Sequence, residues 1–379
     1  MILMLVKLKT LALLLTILVG SNACEEATEE IPLQLPSNLE IDVEYLQNGQ
    51  VTINFDAVNA NFFKVGYGLP GQLPVRVEEE PVTYNYQIPG TFVVTVQAHT
   101  TEADFISGTR EVVITEQMLG QGIPENGFES PLSYEGYSLV WQDEFEGTTL
   151  SDDWVYEIGD GCPNLCGWGN NELQYYRREN TTVEDGFLII QAKQEEFGGK
   201  NYTSTRIKTQ GKQAFTFGRI DIRAVLPKGQ GIWPAFWMLG ESITEINWPA
   251  SGEIDIMEMV GGNAIARNNT VHGTIHYDEN GTYRYTGGQH TLPEGIFNDK
   301  FHVFSIIWDA EKIVWLLDNV EFHQQDIRPA YMDEFREPFF LLINLAVGGN
   351  WPGSPDADTI FPQQLVVDYI RVFQAEDAE

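Results

Sequence analysis

The sequence predicts an all-β protein, a small β-sandwich followed by a larger sandwich of jelly-roll type. Three observations carry this. Short segments alternate apolar and polar residues with period two, Gly, Pro, Asn and Asp bound them, and apolar residues almost nowhere recur at helical spacing. Hydrophobic residues make up 43% of the 379, with 9 Trp and 21 Phe, enough for sizeable cores without disulfide support.

Residues 1–23 are not part of that fold. Lys7 and Lys9 precede the apolar run from Leu11 to Val19, too brief to span a bilayer and typical of a secretory signal. The run closes on Ser21-Asn-Ala-Cys24, which resembles a lipoprotein signal whose cysteine becomes the lipidated first residue, although the usual leucine three positions earlier is Ser21. The acids Glu25, Glu26, Glu29 and Glu30 resemble the export tag of surface lipoproteins. The expected location is the cell surface, with an outer-membrane anchor through lipid at Cys24.

Residues 24–37 are acidic and proline-bearing and read as a solvated tether. Residues 38–115 hold the small sandwich, with strands expected at 39–43, 51–55, 83–86, 92–96 and 112–114. The stretch from Tyr84 to Val96 resembles the C-terminal hairpin of PKD-type immunoglobulin-like modules, with Val65-Gly-Tyr-Gly68 where that family carries a glycine-aspartate loop. Its aromatics (Phe62, Phe63, Tyr67, Tyr84 and Tyr86) either fill a core or form a stacking patch; strand spacing favours the core. Residues 116–131, rich in Gly, Pro, Asn and Gln, read as a linker. Residues 132–379 form the large sandwich. Strands are expected at 187–192, 218–223, 253–258, 270–276, 301–308, 313–317, 339–344 and 365–372.

The formal net charge of −33 repels phosphate backbones, so nucleic acid is not an expected partner. Residues 24–130 carry 17 acids against the three bases Lys64, Arg76 and Arg110, which removes any basic patch from the small module. The charge fits a neutral substrate and equally fits plain solubility, and a monomer is expected. Cys162 and Cys166 leave two readings, a local disulfide or two packed thiols, and no zinc-ligand spacing accompanies them.

The chemistry concentrates in Gly252-Glu-Ile-Asp-Ile-Met-Glu-Met-Val-Gly261. On a strand, Glu253 and Asp255 share one face while Ile254 and Ile256 point into the core. Strict alternation would bury Glu258 on the core face, at high cost. One extra residue, most simply Met257, inserted as a β-bulge returns Glu258 to the face of Glu253 and Asp255. Two carboxylates about 5–5.5 Å apart are what a retaining glycosidase needs. The bland alternative is three solvated acids on an edge strand. Trp233 and Trp237 flank Pro234, which favours an extended segment with both rings on one face, for sugar stacking or for the core.

With Gly231-Ile-Trp-Pro-Ala-Phe-Trp-Met-Leu239 and Gly167-Trp-Gly-Asn-Asn-Glu-Leu-Gln-Tyr-Tyr176 in the same order, the strand resembles glycoside hydrolase family 16, most of all its bacterial laminarinases, over about residues 137–374. The resemblance implies a concanavalin-like jelly roll and a retaining endo-β-1,3-glucanase acting on β-glucan by double displacement. Glu253 would be the nucleophile, Glu258 the acid/base and Asp255 the partner between them. Trp233, Trp237, Asn171, Glu172 and Arg206 would contact sugar, and His276 would stand near the acid/base with His272 on its face. No cofactor is implied for catalysis. A structural calcium is, held by the carbonyls of Glu144 and Gly186 and the carboxylate of Asp368. The rival readings are a galactan hydrolase of the same family, since agarases and carrageenases share the bulge, and a non-catalytic β-glucan-binding protein.

Overall fold

The computed structural model describes residues 33–376 apart from 47–48, 78–79, 116–117, 120–122, 263 and 265–266. The expected signal segment, Cys24 and most of the tether lie outside the described residues.

The first seven strands are β1 (Ser37–Tyr45), β2 (Gln50–Val58), β3 (Phe62–Gly66), β4 (Val75–Val77), β5 (Val82–Asn85), β6 (Gly90–His99) and β7 (Phe105–Ile114). They form two antiparallel sheets, β1-β2-β5 and β4-β3-β6-β7. Both contribute to one core, Val51, Ile53 and Phe55 from one sheet and Val65, Val94, Val96 and Val112 from the other. Strands β3 and β4 were not expected. Part of the Val65–Gly68 segment, read as a loop, belongs to β3, where Phe63 and Val65 alternate into the core. Tyr86 is buried beside Phe92, and Tyr67 stacks on Tyr84 with ring centroids 4.0 Å apart. These rings are largely core, whereas Phe62 lies on the other face against His99.

The remaining strands are β8 (Tyr137–Asp143), β9 (Val155–Glu157), β10 (Gln174–Tyr176), β11 (Thr181–Glu184), β12 (Phe187–Ala192), β13 (Tyr202–Ser204), β14 (Arg206–Lys208), β15 (Gly218–Val225), β16 (Ile232–Gly240), β17 (Glu253–Glu258), β18 (Thr270–Asp278), β19 (Tyr283–Thr291), β20 (His302–Trp308), β21 (Lys312–Leu317), β22 (Val320–Asp326), β23 (Phe339–Val347) and β24 (Gln363–Ala375). One sheet runs β11-β12-β24-β15-β20-β21-β22, with β8 also on β24; the other runs β19-β18-β17-β16-β23-β14-β9. Their inner faces interdigitate as a single core, Ile220, Ile222, Phe304 and Ile306 from the first against Phe236, Met238, Ile254 and Ile343 from the second. This is the predicted jelly-roll sandwich.

Two features depart from the sequence reading. Residues 126–130, assigned to the linker on composition, are stitched to the first sheet. Phe128 N–H donates to the Phe301 carbonyl, Phe301 N–H to that of Asn126, and Ser130 bonds the Tyr369 hydroxyl. Arg223 donates to the Phe128 carbonyl. Second, Cys162 and Cys166 form a disulfide, so the thiol alternative falls.

Candidate active site

The site lies on the solvent-facing side of the second sheet, along β17. Against β16, Met257 pairs with Phe236 and Asp255 with Trp237, which leaves Ile256 without a partner. Against β18, Asp255 faces Thr274 and Glu258 faces His272, so Ile256 and Met257 together oppose Gly273. The expected bulge is present, but the residue skipped on β16 is Ile256 rather than Met257. The reason is packing: both side chains are buried in the core, and shifting the register around two consecutive apolar residues returns Glu258 to the outer face. Gly273 makes room for this. A Cβ there would lie 2.3 Å from Trp315, the fully buried indole of β21 whose Nε1 donates to the Asp255 carbonyl at 2.8 Å.

Two of the three carboxyls are held by indole donors. Trp248 Nε1 donates to Glu253 Oε2 at 2.9 Å, and Trp233 Nε1 to Glu258 Oε1 at 3.0 Å. Burial, and then the charge of Asp255, push the Glu253 carboxyl up to about 8. Burial raises Asp255 likewise. Glu258 is raised well above its usual range by burial and by the charges of Asp255 and Glu253. Three carboxyls this close and this dry titrate as a unit, each proton lost making the next harder to remove.

His276, expected near Glu258, makes its direct contacts with the neighbouring Asp255 and Glu253. Its register partner is Glu253, and its Nε2 lies 3.0 Å from Asp255 Oδ2 and 3.8 Å from Glu253 Oε1. The cause is the chain direction: β18 runs antiparallel to β17, so the earlier His272 meets Glu258 and the later His276 meets Glu253. Glu253, Asp255 and His276 each bring a polar atom within 4.8 Å of the others.

Trp233 and Trp237 sit half-buried on β16 with their rings on the carboxylate face. Trp237 Nε1 donates to Asn344 on the neighbouring β23. Arg206 is nearly buried on β14, its guanidinium between the rings of Trp168 (4.6 Å) and Trp237 (4.7 Å) and paired with Glu157. Asn171 is exposed, with a positive φ of 57°, and donates to Asn350. Glu172 departs from the expectation of a sugar contact. It is buried, its carboxylate accepts from Gln174, Tyr176 and Asn170, and burial raises its proton affinity. Its side chain anchors the Asn170–Asn171 loop instead, because the turn at Gly167–Asn171 carries the next residue inward.

Several residues of the site escaped the sequence reading. Trp351 packs edge-on against both Trp233 and His272, beside Glu258. Trp248, Tyr283 and Tyr285 gather around His276 beside Glu253. Trp248 precedes the carboxylate strand by a few residues and was within reach of inspection. Trp351 and the two tyrosines arrive from a loop after β23 and from an edge strand, with no local signal.

The residues expected to hold calcium converge on the opposite sheet. Along one edge of β24, β12 pairs up to Val367 and β8 pairs from Ile370, so Gly186 and Glu144 lie just beyond the two facing strand ends. Asp368 lies in that gap, skipped by β15 between Tyr369 and Val367. The donors, two carbonyls and a carboxylate, suit a hard cation. One Asp368 oxygen is already paired with Arg223.

The family model "Glycosyl hydrolases family 16" matches residues 169–371. The Clotting factor G alpha subunit of Tachypleus tridentatus is 39% identical over 240 residues, 63% of this chain and 34% of that protein. A Beta-glucanase of Rhodothermus marinus is 43% identical over 253 residues, 63% of this chain and 85% of its own length. The chain therefore spans about a third of the first relative and most of the second. Among solved structures, the laminarinase catalytic domain from Thermotoga maritima, in complex with cetyltrimethylammonium bromide, is similar with a TM-score of 0.59 at 43% identity, covering 64% of this chain and 100% of that one.

Proposed function

Because the chain belongs to glycoside hydrolase family 16, we propose that it is a retaining endo-β-1,3-glucanase acting on laminarin-type β-glucans. The observation that carries the reading is the bulge in β17, which sets Glu253, Asp255 and Glu258 on one face inside a sheet whose relatives include beta-glucanases and laminarinases. Ionised Glu253 attacks the anomeric carbon while Glu258 gives its proton to the departing glycosidic oxygen. Glu258 then takes a proton from water, whose oxygen displaces Glu253 from the sugar, and the two inversions retain configuration. Asp255 lies beside Glu253, and its charge sets how readily Glu253 ionises. The rings of Trp233 and Trp237 stack on the apolar faces of sugar, and Asn171 and Arg206 contact its hydroxyls. The assay is release of reducing ends from laminarin, lichenan and agarose in parallel. Laminarin is expected to be cut fastest. Preference for agarose would favour a galactan hydrolase, and binding of laminarin without cleavage a glucan-binding protein.

The same reading gives the remaining parts of the chain supporting roles. Residues 38–115 form a PKD-like spacer, and lipid at Cys24 holds the protein at the cell surface; labelling with a radioactive fatty acid is expected to vanish in Cys24→Ala. A calcium ion held by Glu144, Gly186 and Asp368 would stiffen the sheet opposite the carboxylates. Chelation is then expected to lower Tm, and added calcium to restore it.

A further inference from the structure

Tyr283 stands on the edge strand β19, yet it touches both groups that hold the nucleophile end of the carboxylate row. Its hydroxyl is 2.8 Å from His276 Nδ1, and the two rings are parallel within 2°. Its ring also packs at 4.9 Å on Trp248, the residue whose indole N–H bonds Glu253. We propose that Tyr283 is a positioning residue for the reaction, fixing His276 against Asp255 and Trp248 against Glu253. The proposal rests on the glucanase reading for its reaction but not for its geometry.

The reasoning follows from hydrogen placement. If the tyrosine O–H donates to Nδ1, the neutral imidazole carries its hydrogen on Nε2; if the imidazole is charged, both nitrogens carry one. In either case Nε2–H faces Asp255. That atom matters, because Asp255 Oδ2 is buried with no hydrogen bond among the described residues, and His276 Nε2, 3.0 Å away, is the nitrogen placed to supply one. Without the hydroxyl, imidazole is free to hold its hydrogen on Nδ1 and turn a bare Nε2 toward Asp255, an arrangement that suits only a protonated Asp255. A neutral Asp255 repels Glu253 less, so Glu253 then ionises at lower pH. The charged and titratable groups around His276 are Glu253, Asp255 and Glu258 on β17 and Tyr283 and Tyr285 on β19, with Arg206 acting on Glu253 from β14. Burial and the carboxylate charges raise Tyr283 above its usual range, which keeps its hydroxyl protonated and able to donate to Nδ1.

The test is Tyr283→Phe in the full chain, which removes one oxygen and leaves the ring on Trp248. On laminarin, kcat is expected to fall about tenfold, as for other supporting hydrogen bonds, with KM within about twofold. The acid limb of the pH profile is expected to move to lower pH. In a His276→Asn background the same change is expected to add little, because Tyr283 acts through His276. An unchanged kcat with an unmoved profile overturns the proposal. So does a rise in KM alone, which would make the ring a sugar contact. Nitrogen NMR of His276 gives a readout independent of substrate: the wild type is expected to keep hydrogen on Nε2 and Tyr283→Phe to lose that preference. A wild type inert on laminarin would sink the glucanase reading, while the NMR arm would still decide the positioning.

Discussion

Gly273→Ala tests whether the bulge and the indole beneath it set the carboxylate geometry. The added methyl would meet Trp315 Cδ1 at 2.3 Å and Nε1 at 2.6 Å, where ordinary contact needs 3.4–4 Å. Neither side yields easily, since Gly273 is hemmed between β17 and β19 and Trp315 is fully buried. Overpacking of this kind costs about 1–3 kcal/mol. Displacing the indole also forfeits its hydrogen bond to the Asp255 carbonyl, about 1 kcal/mol more. A loss of about 2–4 kcal/mol corresponds to a Tm lowered by about 5–15 °C in a domain this large. Because the released carbonyl belongs to the central carboxylate residue, kcat on laminarin is expected to fall at least about tenfold. Calorimetry and initial rates measure both. A variant that melts within about 2 °C of wild type and turns over normally would refute the reasoning, since Trp315 would then have moved at no cost.

Glu253→Gln and Glu258→Gln are each expected to lower hydrolysis by about 10²–10⁴-fold or more while laminarin still retards the protein in affinity gels. Stability has a sign that runs against ordinary acids. The carboxyls of Glu253 and Asp255, both at about 8, and of Glu258 hold protons in the folded chain that the unfolded chain releases near 4.5 or 3.8. Their protonated forms favour the fold at low pH, and that advantage is lost as pH rises through the folded values. Melting curves from pH 5 to pH 9 are expected to decline, and Glu258→Gln, which has no proton to lose, to recover at high pH about 1 kcal/mol or about 2–4 °C. Residues 132–379 alone are expected to keep laminarin activity but to melt below residues 124–379, because the shorter form lacks the hydrogen bonds of residues 126–130, each worth about 1 kcal/mol. Equal melting temperatures would count against that stitching.

The sandwich architecture was legible because alternation is a local property, and strands such as Phe187–Ala192 carry it within six residues. The bulge was legible for a different reason: a carboxylate at the wrong parity in an apolar strand has only one inexpensive remedy. Which residue is skipped was not, since Ile256 and Met257 are both apolar and only the facing Gly273 and Trp315 distinguish them. Glu172 misled because exposure depends on a turn at Gly167–Asn171 that local pattern does not encode. His276 was placed on the right face and at the wrong end, since strand direction is a matter of topology. Tyr283 and Trp351 owe their positions to a hairpin edge and a loop, where periodicity carries no information. Residues 126–130 look like a linker by composition because their role is carried by backbone groups, which composition does not report.

The attachment of residues 126–130 also fixes where force reaches the enzyme. The upstream chain joins at Gly127, bridged to Phe301, and its hold passes through Phe128 and Ser130 to Arg223 and Tyr369 of the rear sheet. A pull on the upstream chain would be borne in shear by that ladder and by the strands behind it. The carboxylates hang on the other layer, joined to the loaded one by apolar packing and by the hydrogen bond from Trp315 Nε1 to the Asp255 carbonyl. A load taken by the rear sheet would thus meet the carboxylate row at Asp255, while the carboxylate face lies on the side away from the attachment.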